Sequence, residues 1–94
     1  MPTARDPLHD LYQVNVNLLV VFAVLMQERN VTSSAARLAV SQPAVSNALR
    51  KLRQTFDDPL FVWVKPQMRP TPRARQLARS IMPALQELAA SYPA

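Results

Sequence analysis

The run Gln42-Pro43-Ala44-Val45-Ser46-Asn47-Ala48-Leu49-Arg50-Lys51-Leu52-Arg53 sets amide, hydroxyl and cationic groups at spacings that share one side of a helix. These groups complement the edges of base pairs in a DNA major groove. Gln42 and Asn47 can pair with N6 and N7 of adenine, Arg50 with O6 and N7 of guanine, and Ser46 with either base. Pro43 and Ala44 suit contact with a thymine methyl. A bidentate arginine–guanine pair is worth about 1–3 kcal/mol of discrimination. Gln42 and Ser46 also have a local use, capping the helix on which they sit. A second set suits phosphate, which positions a protein without reporting sequence. It comprises Lys51 and Arg53, the hydroxyls of Thr32, Ser33 and Ser41 at helix starts, and Lys65 and Arg69 further along. Lys65 and Arg69 read equally well as solvated charges. Arg73, Arg75 and Arg79 fit better as the wet face of a later helix.

Other chemistries find no footing. There is no cysteine, so neither a disulfide nor a thiolate metal site is available, and His9 is a lone histidine without metal-ligating neighbours. The chain has no glycine and hence no Gly-rich phosphate loop. Asp57-Asp58 reads as a helix stop and turn, not as a catalytic pair. No nucleophile has a plausible base, so neither an enzyme nor a bound cofactor is expected. Trp63 is expected to be buried or packed at an interface, with a wedge against the DNA backbone as the alternative. Eleven Lys and Arg oppose six Asp and Glu for a net charge of +5, and nine of those eleven lie between Arg37 and Arg79. That concentration points to a polyanionic partner. The longest apolar run, Leu18 to Met26, spans nine residues, against about 20 for a bilayer crossing. A soluble, cytoplasmic domain is expected.

The elements that would hold these groups follow from caps and periodicity. Residues 1–14 carry Pro2 and Pro7 without clear periodicity and read as a loose arm. Asn15 caps a helix from Val16 to Arg29 whose middle is apolar on every side. Such a helix must be buried on two sides or meet a partner. Thr32 is placed as the cap of a short helix, Ser33 to Leu38. After the link Ala39-Val40-Ser41, Ser41 caps a third helix with Pro43 in its first turn. On it Val45, Leu49, Leu52 and Phe56 recur at spacings of four, three and four and face inward. Two helices so joined, the second bearing a basic polar outer face, make a helix-turn-helix. Leu60–Val64 and Met68–Thr71 read as two short strands around Lys65-Pro66-Gln67. Thr71-Pro72 then starts a long helix carrying Leu77, Ile81, Leu85, Leu88 and Tyr92, with Pro83 expected to kink it. The fold class is mainly α: a winged helix-turn-helix over 15–71 with a short β-hairpin wing, then a long C-terminal linker helix over 72–94.

The residues Asn17-Leu18-Leu19, Phe22, Asn30-Val31-Thr32, Ser34-Ala35, Val40-Ser41-Gln42-Pro43-Ala44-Val45-Ser46, Leu60-Phe61 and Pro70-Thr71-Pro72 resemble the LysR-type transcriptional regulators. The likeness is strongest to the branch of nodulation and aromatic-degradation regulators and covers roughly residues 15–92. It implies sequence-specific binding to double-stranded DNA by a bacterial regulator. A homodimer would place its recognition helices, about 42–55, in successive major grooves of an interrupted dyad. Leu77, Ile81, Leu85, Leu88 and Tyr92 would form the dimer interface. In that family a C-terminal domain senses a small-molecule inducer; nothing here corresponds to it, so a truncated chain is expected. Three positions depart from the pattern. Trp63 stands where the wing usually has arginine, Gln67 replaces the wing glycine, and Arg53 occupies a position commonly held by glutamate. The rival reading is a helix-turn-helix that binds protein, whose outer face would then carry apolar anchors.

Overall fold

A computed structural model of the chain describes residues 5–92. Helix α1 (Pro7–Tyr12) corrects part of the expected arm: Asp6 accepts the Leu8 N–H at 3.0 Å and Pro7 supplies a preset first turn. None of its residues is buried, so local capping, not packing, is what forms it. Residues 1–4 of the arm lie outside the described residues.

Helix α2 (Val16–Glu28) starts at the cap Asn15 as expected and ends one residue early, where Arg29 turns left-handed. Helix α3 (Val31–Leu38) corrects the placement of its cap. Asn30, not Thr32, accepts the Ser33 N–H, at 2.8 Å, and Thr32 lies inside the first turn. Asparagine and threonine are both good caps; the left-handed Arg29 just before it leaves Asn30 extended and able to reach back over the turn. Helix α4 (Gln42–Phe56) is capped by Ser41, and strands β1 (Phe61–Val64) and β2 (Gln67–Pro70) pair antiparallel with Val64 opposite Gln67. Helix α5 (Pro72–Ser91) starts at the Thr71 cap and continues across Pro83. The missing Pro83 N–H leaves one carbonyl without its intrahelical donor but does not end the helix.

With no glycine in the chain, the sharp corners fall to other residues. Arg29, Ala39, Asp57 and Leu60 all have positive φ, a conformation that costs roughly 1–2 kcal/mol per non-glycine residue. Backbone hydrogen bonds compensate. After α3 the Val40 N–H reaches the Ala35 carbonyl at 3.0 Å, and after α4 the Asp58 N–H reaches that of Arg53 at 3.2 Å.

The core forms around α2. Phe22 and Leu25 meet Ala35 of α3, Val45, Leu49 and Leu52 of α4, Leu60 and Phe61 at the wing, Met68 of β2 and Ala74 of α5. The Phe22 and Phe61 rings sit 5.8 Å apart at a 52° tilt, within the range where aromatic pairs attract. This is how the all-round apolar helix is accommodated: α3, α4 and α5 all contact it, and each fully buried large side chain contributes about 1.5–3 kcal/mol. One polar group is caught inside. Ser34 is fully buried, and its hydroxyl has no hydrogen-bond partner among the described residues.

That orphan hydroxyl yields a stability prediction. Ser34→Ala is expected to raise the unfolding free energy by about 1 kcal/mol, by removing an unsatisfied buried group and improving helix propensity. Urea unfolding followed by Trp63 fluorescence measures it, and a loss of stability would mean that the hydroxyl is satisfied in solution.

Candidate nucleic-acid interface

The core fixes which side of α4 faces out. Val45, Ala48, Leu49 and Leu52 are buried, so Gln42, Pro43, Ser46, Asn47, Arg50 and Lys51 are exposed together on the other side. Arg50 Nη2 donates to the Asn47 side-chain amide oxygen Oδ1 at 3.2 Å, so these two side chains lie side by side on the surface. Lys51 extends freely beside them, while its backbone carbonyl accepts from the Thr55 hydroxyl at 2.9 Å.

The hydroxyls expected at phosphate are more committed. The Ser41 oxygen accepts the Ala44 N–H at 3.2 Å. The Ser33 hydroxyl donates to the Asn30 carbonyl at 3.4 Å, and its N–H is held by the Asn30 side chain. Thr32 is exposed in the first turn of α3 and makes no side-chain hydrogen bond among the described residues.

Arg53 does not stand free. Its guanidinium donates through Nε to the Pro59 carbonyl at 2.7 Å and through Nη2 to the Phe61 carbonyl at 2.9 Å. The expected phosphate ligand is engaged with the start of the wing. Nothing in the sequence pattern announces this, because both acceptors are backbone carbonyls.

At the wing, Lys65 lies in the turn and Arg69 stands on β2 opposite Val62, both exposed. Trp63 is not buried in the chain's own core, the first of its two expected places. It is 64% exposed, flanked by exposed Val62 and Val64, because the core is already closed by Phe61 and Met68. Two ion pairs occur among the described residues, Arg5 with Asp10 and Arg37 with Glu28. Arg50, Lys51, Lys65, Arg69, Arg75 and Arg79 therefore present positive charge outside any ion pair in that set, and Arg73 does so within the field of Asp58.

A joint between α4, the wing and α5 is built on Asp58. One carboxylate oxygen accepts the Leu60 N–H at 2.8 Å and the Thr71 hydroxyl at 2.7 Å, and Thr71 in turn accepts the Ala74 N–H at 3.1 Å. The Thr71 N–H returns to the Leu60 carbonyl at 2.8 Å. The Thr71 hydroxyl first, then the Leu60 amide and the nearby Arg73 charge, hold the Asp58 pKa below the usual carboxylate value, against a smaller desolvation effect. A helix stop was legible at this position; the second role, fastening the α5 cap, was not.

The residues assigned to a dimer interface divide. Leu77 and Ile81 are half-buried against the chain's own core. Leu85 lines an open groove of about 450 Å³ between α2 and α5, together with Val16, Val20 and Ala23. Leu88 and Tyr92 continue that groove and are 55% and 76% exposed. Among the described residues no three His, Cys, Asp or Glu side chains gather as a metal site, and no helix is long and apolar enough to cross a membrane.

Residues 16–75 match the family described as "Bacterial regulatory helix-turn-helix protein, lysR family". The chain is 46% identical over 79 residues to the transcriptional activator NahR of Pseudomonas putida, covering 84% of this chain and 26% of that protein. It thus spans about a quarter of that relative's length. Among solved structures, PA0477 of Pseudomonas aeruginosa, described as a probable transcriptional regulator, superposes with a TM-score of 0.82 at 44% identity, over 85% of this chain and 27% of that one. BenM_DBD, in its complex with catB site 1 DNA, shares the fold at a TM-score of 0.76 and 18% identity, over 82% of this chain and 86% of that one.

The Asp58 joint sets a pH dependence. With its folded pKa depressed, Asp58 contributes stability that is complete above the usual carboxylate range and is lost as pH falls through the lowered folded value. The gap in urea midpoint between the native chain and Asp58→Asn is expected to be constant near neutrality and to shrink in acid. A gap independent of pH would remove the carboxylate from this role.

Proposed function

Since the chain belongs to the lysR family of bacterial regulatory helix-turn-helix proteins and is the DNA-binding domain of a transcription regulator, we propose that it reads an interrupted dyad in double-stranded DNA as a homodimer. In this reading α4 enters the major groove. Gln42, Pro43, Ser46, Asn47 and Arg50 meet base edges, as a recognition helix requires. Lys51, Lys65 and Arg69 neutralise phosphates, and the Thr32 hydroxyl donates to one, assisted by the N–H groups that begin α3 and α4. The observation that carries the proposal is the exposed row from Gln42 to Lys51, polar and basic, aligned by a buried apolar face behind it. Its lack of large apolar anchors weighs against a protein-binding module. The BenM_DBD complex supports it further, since the same fold there is accompanied by DNA.

Two copies would associate through the groove between α2 and α5, where Leu85, Leu88, Tyr92 and Val16 present apolar surface. In a longer polypeptide of the relatives' length, a following domain would sense a small-molecule inducer. The domain as it stands needs no cofactor in this reading and acts in the cytoplasm.

The substitutions separate reading from holding. Arg50→Ala should relax preference at one base position per half-site, with each wrong base there losing about 1–3 kcal/mol of its penalty. Lys51→Ala should weaken all duplexes alike and lessen the slope of log affinity against log salt by about 0.9 per phosphate released. Competition titrations across single-base variants measure the first, and an unchanged Arg50→Ala profile would refute that residue's role. Sedimentation measures association, where Leu88→Asp is expected to shift dimer toward monomer; a chain that stays monomeric at high micromolar concentration would refute the dimer. A random duplex that is not shifted even at low salt would leave the protein-binding alternative standing.

A further inference from the structure

We propose that Arg53 is a positioning residue for DNA reading: it clamps the wing to the last turns of α4, so that helix and wing meet the duplex as one rigid head. The inference rests on the DNA-binding reading above and adds to it a residue that touches no nucleic acid.

The geometry is specific. Phe61 is 1% exposed and begins β1 opposite Pro70. The adjacent Leu60–Thr71 pair takes the ladder hydrogen bond, from the Thr71 N–H to the Leu60 carbonyl, so in the alternating antiparallel pattern the Phe61 carbonyl points away from β2 and receives no donor from the hairpin. A buried carbonyl needs a partner, and Arg53 Nη2 supplies it at 2.9 Å. The same guanidinium holds the Pro59 carbonyl at 2.7 Å through Nε. One planar fork thus joins the last turn of α4 to Pro59, near the end of the linking segment, and to Phe61, the first residue of β1. In that segment Leu60 carries a positive φ without the relief a glycine would give. The neighbouring Asp58 fixes the Leu60 N–H from the opposite side. Lysine can carry the charge of Arg53 but not its two-pronged geometry, because an ammonium is a point donor on a flexible stem. A phosphate contact and a clamp therefore respond differently to the same substitution.

The test compares the native chain with Arg53→Lys, Arg53→Met and Lys51→Ala. The probes are a duplex selected from a random pool with the native chain and an unselected random duplex, each titrated at several salt concentrations. The lone tryptophan, Trp63, sits two residues past the clamped carbonyl, and its fluorescence anisotropy without DNA reports the wing directly. For a clamp, both Arg53 variants lose about tenfold in preference for the selected duplex, the worth of one misplaced base contact. They keep the native salt slope, lower the Trp63 anisotropy, and are not rescued by lysine. Lys51→Ala shows the reverse, a reduced slope with native anisotropy. The proposal is overturned if Arg53→Lys behaves as native while Arg53→Met loses about 0.9 in slope, which marks a phosphate contact. It is also overturned if preference and anisotropy are unchanged in both variants. A native chain that shifts neither duplex overturns the DNA reading and this role with it, and the anisotropy of the variants then tells that failure apart from a clamp that does not exist.

Discussion

The burial of Phe22 and Leu25 of α2 against Val45, Leu49 and Leu52 of α4 orients the rest of the molecule. A helix has one direction in which it can bury such a row, and once α4 commits that face, the opposite arc from Gln42 to Lys51 must point to solvent. The exposure of the base-reading candidates thus depends on packing and not on their own polarity. The same apolar helix recruits the wing through Phe61 and Met68 and α5 through Ala74. The Met68 N–H adds a hydrogen bond to the Arg29 carbonyl at 3.1 Å, so β2 is tied to the end of α2 as well as to its side.

Apolar packing is non-directional, and the angles between elements need directional contacts. These gather where α4 ends. Asp58 holds Leu60 and Thr71, Thr71 caps α5, and Arg53 holds Pro59 and Phe61. Recognition helix, wing and linker helix therefore share one hydrogen-bonded joint. The joint lets a chain without glycine make a tight corner, because carboxylate and guanidinium offset the cost of left-handed backbone at Asp57 and Leu60.

Charge and shape divide the work of binding. In the proposed reading the cations on α4, the wing and the start of α5 would attract a polyanion without regard to sequence, and the amide and guanidinium groups of Gln42, Asn47 and Arg50 would match base edges only at one distance and angle. The proposed dimerisation would draw on a third region. The groove of about 450 Å³ between α2 and α5 is apolar and open, and it lies where the core has left Val16, Val20, Leu85 and Leu88 incompletely covered.

Much of this was legible in the residues. The period of Val45, Leu49 and Leu52, the caps Asn15, Ser41 and Thr71, and the β-prone run before Lys65 gave the winged helix-turn-helix in its observed order, because caps and periodicity are local. The Gln42–Lys51 row was legible for the same reason, being the complement of an apolar stripe on one helix. Other features were not. Asn30 displaced Thr32 as a cap because a left-handed Arg29 set its direction. Trp63 stays exposed because smaller neighbours had already closed the core. Leu77 and Ile81 pack in part on their own chain's core, behind the buried Ala74. Arg53, though exposed, is bound to the wing because the Phe61 carbonyl faces away from the partner strand and toward it. The sequence by itself determined which elements form and which face of each is apolar, since neighbours within a turn or two decide that. Only the tertiary structure decided which polar groups remain free to bind, since that depends on distant backbone carbonyls brought within hydrogen-bonding reach.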